Sequence, residues 1–148
     1  MSYCDTLRSH MDAAMSDVKS KPGAALKTVL DELPVRSKKI GEQPKDKEGK
    51  KKFENQVQEA RDVAAQCVLT VLCAIESNKI PTAIKELTDD ERDTLMKFVY
   101  RGFGERSVVD DKPKATYDCN ILLKTHEEIS KLMGNGPIIR TIHTRLEV

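Results

Sequence analysis

Val68-Leu69-Thr70-Val71-Leu72-Cys73-Ala74-Ile75 is the longest apolar run in the sequence, and it decides the fold class. Upstream of this run, apolar residues recur at Val57, Ala60 and Ala64, the spacing of one helical face. We therefore predict a long helix over about residues 51–77. Because its second half is apolar on more than one face, this helix is expected to be the central one.

Shorter helices are predicted on both sides of the central helix, each from an apolar pattern with three- and four-residue spacing. Thr88-Asp89-Asp90-Glu91 is a capping box, the signature of a helix start. These further helices are predicted at about 3–18, 22–33, 81–87, 89–101, 117–133 and 137–146.

Polar connections are predicted at 34–50 and 104–116. No segment alternates with period two for long, so no sheet is expected. The prediction is an all-α fold of about seven helices in an antiparallel, α–α superhelix-like bundle.

The length of 148 residues is typical of one globular domain. Residues 1–50 are expected to hold the N-terminal helices and a basic loop, and residues 51–148 the helical core. The loop includes the lysine-rich run 45–52, which is interrupted by Asp46 and Glu48. Such a run is usually a solvated loop, and a role in binding a partner or a filament is left open.

The composition excludes several classes of protein. A net charge of +1 lacks the basic field typical of nucleic-acid binding. No apolar run approaches the roughly 20 residues that span a bilayer, and the N-terminus has no signal-peptide pattern. The four cysteines are scattered without a Cys-x-x-Cys pair, which favours a reducing compartment. We predict a soluble, intracellular protein.

No catalytic or metal-binding pattern is recognised. His10, His126 and His143 fall on three different predicted helices, without the spacing of a metalloprotease motif. Cys67 and Cys73 lie about 240° apart around one helix and are not expected to share a metal ion. We therefore predict no catalytic residues, no metal and no cofactor.

One short motif is partly similar to an RNA-binding signature. Arg101-Gly102-Phe103-Gly104 matches the opening of the RNA-recognition signature, but the following residues 105–108 do not continue it. That signature also requires a strand, so that its rings can stack on bases, whereas this segment ends a predicted helix. RNA binding is kept as a minor alternative.

Three segments of the C-terminal half carry further motifs. They are Asp93-Thr94-Leu95-Met96-Lys97-Phe98-Val99-Tyr100-Arg101-Gly102-Phe103, Leu122-Leu123-Lys124-Thr125-His126-Glu127 and Gly136-Pro137-Ile138-Ile139-Arg140. The third is followed by Thr144-Arg145 and Val148. In this order they resemble the patterns of the subunit-5 (16-kilodalton) family of the actin-related protein 2/3 complex. Weaker similarity extends the match over about residues 55–148.

The sequence departs from the family pattern in three places. Thr125 stands where the family usually has Trp, and the connection at 104–116 is longer than expected. Family members often carry an acidic leader that tethers the actin-related protein. Residues 1–20 are instead predicted to form an amphipathic helix with few acids.

The resemblance implies a non-catalytic structural subunit that docks on the β-propeller subunit and a neighbouring scaffold subunit, and supports nucleation of branched actin filaments. It implies contact with an actin-related protein, indirect contact with actin, and a place in the cytoplasm at the actin cytoskeleton. No cofactor, nucleic-acid partner or membrane insertion is expected. A free-standing helical adaptor is the alternative.

Seven residues at or near the family-pattern positions are expected at protein interfaces: Lys97, Tyr100, Arg101, Phe103, His126, Arg140 and Arg145. The two aromatic residues could equally belong to the core, since aromatics are enriched both there and at interfaces. Lys97 could be a solvated charge, and the last two arginines could cap carbonyl groups at the end of the final helix.

Overall fold

The computed structural model describes the chain except residues 1, 32, 34, 36–39, 110–111 and 145–148, and describes 106–109 and 112–115 by their backbone alone. Seven α-helices lie within the described residues: α1 Tyr3–Asp17, α2 Pro22–Leu30, α3 Lys47–Ala74, α4 Ile80–Glu86, α5 Asp89–Gly104, α6 Cys119–Met133 and α7 Gly136–Thr144. A 3-10 turn, Ser77–Lys79, precedes α4. The predicted all-α class is confirmed.

Between α5 and α6 the structure contains a small antiparallel hairpin. Strand β1, Arg106–Val109, pairs with β2, Lys112–Ala115, with Arg106 opposite Ala115 and Val109 opposite Lys112. This hairpin corrects the expectation of a chain without a sheet, and it lies within the polar connection predicted at 104–116. Four-residue strands are too short to show a clear period of two, and their linking dipeptide Asp110-Asp111 is not a typical hairpin signal.

The central helix α3 begins four residues earlier than predicted, at Lys47. The Asp46 side chain caps it by accepting a hydrogen bond from the Gly49 backbone N–H at 2.6 Å. The prediction of a solvated loop up to about residue 50 is therefore wrong for its last residues. The apolar pattern begins only at Phe53, so periodicity alone placed the start too late.

The core is built around the second half of α3, as predicted. Val68, Leu69, Val71 and Leu72 are fully buried, and α3 packs against α1, α2, α5 and α6. Burying side chains of this size contributes about 1.5–3 kcal/mol each. The apolar run therefore anchors the fold because neighbouring helices cover it on several sides.

Helix α5 organises the C-terminal half. Its predicted capping box is confirmed: Thr88 Oγ1 accepts from the Glu91 N–H at 3.3 Å, and a Glu91 carboxylate oxygen accepts from the Thr88 N–H at 3.2 Å. Leu95, Met96 and Phe98 are fully buried. Because α5 packs against both α6 and α7, these three helices form one C-terminal unit.

Candidate protein-interaction surface

Helix α5 carries four of the interface candidates: Lys97, Tyr100, Arg101 and Phe103. All four are half-buried, at the rim where α5 leaves the core. Gly102 brings this part of the helix close to its neighbours, because its missing side chain leaves room for Leu69 and Leu122. The candidates are therefore held on a rigid helix.

Tyr100, Phe103 and His126 form a ring cluster between α5 and α6. The Tyr100 hydroxyl lies 2.9 Å from His126 Nε2 in a hydrogen bond. The Tyr100 ring meets the His126 ring edge-on at a centroid distance of 5.5 Å, and the Phe103 ring at 6.0 Å. Such aromatic pairs stabilise beyond the area that they bury. The cluster thus links two motifs far apart in sequence.

Arg101 is bound within the chain. Its Nη2 lies 2.5 Å from an Asp62 carboxylate oxygen on α3, and its Nε lies 3.3 Å from Glu105. Its Nη1 also donates to the backbone carbonyl of Arg61 at 3.3 Å. This guanidinium therefore joins the end of α5 to α3.

Arg140 on α7 reaches back to Asp93 on α5. Its Nε and Nη2 lie 2.7 and 2.8 Å from the two carboxylate oxygens, a bidentate pair. The Asp93 hydrogen bond raises the pKa of Arg140. Arg140 thus pairs with a carboxylate, whereas the sequence suggested capping of carbonyls as one possibility. Arg145 lies outside the described residues.

These contacts explain why the three motifs occur together. Asp93 and Tyr100 of the first motif bind Arg140 of the third and His126 of the second, respectively. The three motifs therefore supply both partners of the contacts that join α5 to α6 and α5 to α7. Whether the candidate side chains also contact a partner stays a prediction.

The second motif continues into a charged network on α6. Burial alone would raise the pKa of Glu128, yet hydrogen bonds from Lys124 and Lys131, at 3.2 and 3.3 Å, outweigh that effect and lower it. Beside it, Thr125 is fully buried and donates to the Ile121 carbonyl at 2.9 Å. Where the family pattern has Trp, this chain thus has a small core residue.

The structure reveals an apolar surface that sequence reasoning missed. The side chains of Ile139 and Ile142 on α7 are 55% and 63% exposed, while Pro137 and Thr141 face the interior. The sequence offered one signal: Ile138, Ile139 and Ile142 fall within about 100° of one another around the helix axis and form one apolar stripe. We call Ile139 and Ile142 the α7 isoleucine pair.

In the described part of the chain, no three His, Cys, Asp or Glu side chains come close enough to hold a metal ion. Burial raises the pKa of the Cys67 and Cys73 thiols, which makes both less reactive. Arg101 to Gly104 lie inside α5, so the RNA-like motif is part of a helix and not of a strand.

Among the described residues, no single helix has the length and hydrophobicity needed to cross a bilayer. Only the segments Lys47–Ala74 and Ser77–Glu86, bent by 99° relative to each other, meet those criteria as a pair.

Fold and surface together define a small all-α protein. Its three C-terminal helices are joined by side-chain hydrogen bonds and an ion pair, and α7 exposes an apolar edge. The family model described as "ARP2/3 complex 16 kDa subunit (p16-Arc)" matches residues 48–148, more than half of the chain. The chain belongs to this family, as its motifs predicted.

Curated relatives agree with this family. The chain is 35% identical over 91 residues to actin-related protein 2/3 complex subunit 5-C of Xenopus laevis, covering 62% of this chain and 55% of that protein. It is 36% identical over 90 residues to subunit 5 of Dictyostelium discoideum, covering 60% and 56%. It is 33% identical over 91 residues to the subunit 5-like protein of Homo sapiens, covering 62% and 54%. The matched region thus spans about half the length of these relatives.

Proposed function

We propose that this chain is a non-catalytic structural subunit of an actin-related protein 2/3 complex. It docks on the β-propeller subunit and a neighbouring scaffold subunit, and so supports nucleation of branched actin filaments in the cytoplasm. The family match over residues 48–148 carries this proposal. The motifs Asp93 to Phe103 and Gly136 to Arg140, which resemble the family patterns, lie inside that range and are bound to each other.

The docking surface is proposed to include the α7 isoleucine pair together with the candidates on α5 and α6. Exposed isoleucines at positions i and i+3 form an apolar stripe on one side of a helix. Adjacent apolar side chains on an accessible surface are typical of protein interfaces. The half-buried ring of Tyr100 is anchored by His126 and packs edge-on against Phe103, which suits both rings to a preorganised contact.

The first test is the mass of the assembly that contains the protein in its own cells. A tagged chain is purified gently and weighed by native mass spectrometry. Stoichiometric recovery with two actin-related proteins and a β-propeller subunit is expected. Recovery only as a monomer of about 16.6 kDa would overturn the proposal and favour the free-standing adaptor.

The second test concerns the surface. Ile139→Ser with Ile142→Ser is expected to lower incorporation into the complex about tenfold or more, since each buried isoleucine contributes about 1.5–3 kcal/mol. Met15→Ser on α1 is the matched control, because Met15 is also an exposed apolar residue, at 39%. Equal incorporation of both variants would exclude α7 from the docking surface.

A further inference from the structure

A basic face lies at the start of α3, and the contacts described so far do not use it. It consists of Lys47, Lys50, Lys51 and Arg61. The three lysines are exposed, and no carboxylate of the described residues forms a salt bridge with any of them. Positions 47, 50 and 61 fall on one side of the helix, because spacings of 3 and 11 residues are close to one and three full turns, with 51 at its margin.

The lysines occupy an unfavourable position. The first turns of a helix carry the positive end of its dipole, which repels cations, and neighbouring lysines also repel each other. Residues 45–52 hold five lysines and two acids, a net charge of +3 in a chain whose total is +1. Negative charge that approaches the face from outside the chain would relieve this local repulsion.

A groove continues from the lysines along the same side of α3. Its volume is about 330 Å³, and Phe53, Val57 and Arg61 line it together with Gln43, Glu54 and Gln58. Phe53 and Val57 are each 8% exposed and provide an apolar floor. The Arg61 Nε is buried and makes no hydrogen bond in the structure. A buried donor without a partner is costly, so the hydrogen-bonding capacity of the Arg61 guanidinium is not satisfied within the described residues.

We propose that this basic face and its groove bind an extended acidic segment of a partner protein, with one apolar side chain of that segment on Phe53 and Val57. Carboxylates of the segment pair with the lysines, and one of them pairs with the part of the charged Arg61 side chain that lines the groove. From Lys47 to Arg61 the helix rises about 21 Å, which six or seven extended residues can span. The proposal is independent of assembly into the actin-related protein 2/3 complex.

The groove favours a peptide over other polyanions. Glu54 lies between the lysines and Arg61, so a nucleic-acid backbone with evenly spaced phosphates would meet a repelling charge there. Only 8% of Phe53 is exposed, which allows contact with one aliphatic side chain but not the stacking of a base on the whole ring face. None of the exposed large apolar side chains lies between residues 45 and 61, so nothing beside the lysines could insert into a lipid surface.

The test is fluorescence anisotropy of the 148-residue chain with a labelled eight-residue peptide of Asp and Gly that carries one central Leu. Lys47→Gln, Lys50→Gln and Lys51→Gln together are expected to weaken binding about tenfold, as three exposed charge pairs would. Arg61→Met and replacement of the peptide's Leu by Gly should each weaken it several-fold. Affinity should also fall as salt rises.

The matched control is Lys19→Gln, Lys27→Gln and Lys85→Gln, which removes the same charge from exposed lysines elsewhere. Its affinity should stay within about twofold of the unchanged chain, with equal helicity of both variants by circular dichroism. Equal loss in the two triple variants, or absence of peptide binding, would overturn the proposal. Tighter binding of single-stranded DNA of equal charge, or of vesicles with anionic lipid, would also overturn it.

Discussion

At the scale of single residues, Gly102 shows how the family-like motif is tied to packing. A Cβ at this position would lie 2.9 Å from Leu69 Cδ2 on α3 and 3.1 Å from Leu122 Cδ1 on α6. Both leucines are fully buried and have little room to move. The glycine therefore allows α5 to approach two helices at once.

We expect Gly102→Ala to lower the free energy of unfolding by about 1–2 kcal/mol. Overpacking of a buried site costs about 1–3 kcal/mol, which exceeds the gain of up to about 1 kcal/mol in helix propensity. Gly104→Ala is the control, because a Cβ there meets no atom within 4 Å. In urea unfolding, Gly102→Ala should have a lower free energy of unfolding than the unchanged chain. Gly104→Ala should have an equal or higher one. The reverse order would contradict this role of Gly102.

The partners of the candidate residues could not be predicted from the sequence. Tyr100 and His126 are 26 positions apart, and Asp93 and Arg140 are 47 apart. No local pattern joins such residues, because only the packing of α5 against α6 and α7 brings them together. The motifs singled out these positions as interface candidates, which stays a prediction, but gave no sign that the residues bind each other.

At the scale of elements, Arg92 joins α4 to α5. Its Nε and Nη2 donate to the carbonyls of Ile84 and Lys85, each at 2.9 Å, and its Nη1 lies 2.8 Å from Asp89. The last carbonyls of a helix have no partner within that helix, so this guanidinium caps α4. It also fixes the angle at which the chain enters α5.

We expect Arg92→Lys to destabilise the protein by about 1–2 kcal/mol, because one ammonium group cannot reach all three acceptors in this planar arrangement. Arg8→Lys is the control. Arg8 also pairs with an aspartate three positions away, Asp5, but at 3.7 Å and with both side chains more than half exposed. Arg8→Lys should therefore change the free energy of unfolding by less than about 0.5 kcal/mol. Equal effects of the two substitutions on urea unfolding would contradict the capping role.

Elements were predictable where the apolar period was strong. The second half of α3 and the capped start of α5 follow directly from their sequences. Two features could not be predicted from the apolar period. The first turn of α3 depends on a single Asp46 cap before a lysine run, and the hairpin depends on backbone pairing of short polar strands. In both, local hydrogen bonds decide the structure, whereas the pattern of apolar residues carries no signal.

At the scale of the whole molecule, the N-terminal helices and the C-terminal unit share one core. Leu26 and Val29 of α2 are almost completely buried, and α2 packs against α3, α4 and α5. At Gly23 the backbone of α2 comes so close to Glu86 of α4 that a Cβ would collide with it. The family match nevertheless begins only at residue 48. The less family-like part of the chain is thus expected to be needed for folding.

This expectation predicts that the fragment 47–148 does not fold as an independent domain. It lacks Leu26, Val29 and Leu30, whose burial contributes about 1.5–3 kcal/mol each, a large part of the 5–15 kcal/mol that typically stabilises a domain. Circular dichroism should show lower helicity per residue and a shallow urea transition, against one cooperative transition for the whole chain. The fragment 21–148, which loses only α1 and the turn after it, should be less stable yet still cooperative. If 47–148 unfolds cooperatively with the stability of the whole chain, the segment from α3 to α7 is an autonomous domain, and α1 and α2 are attached to its surface without completing its core.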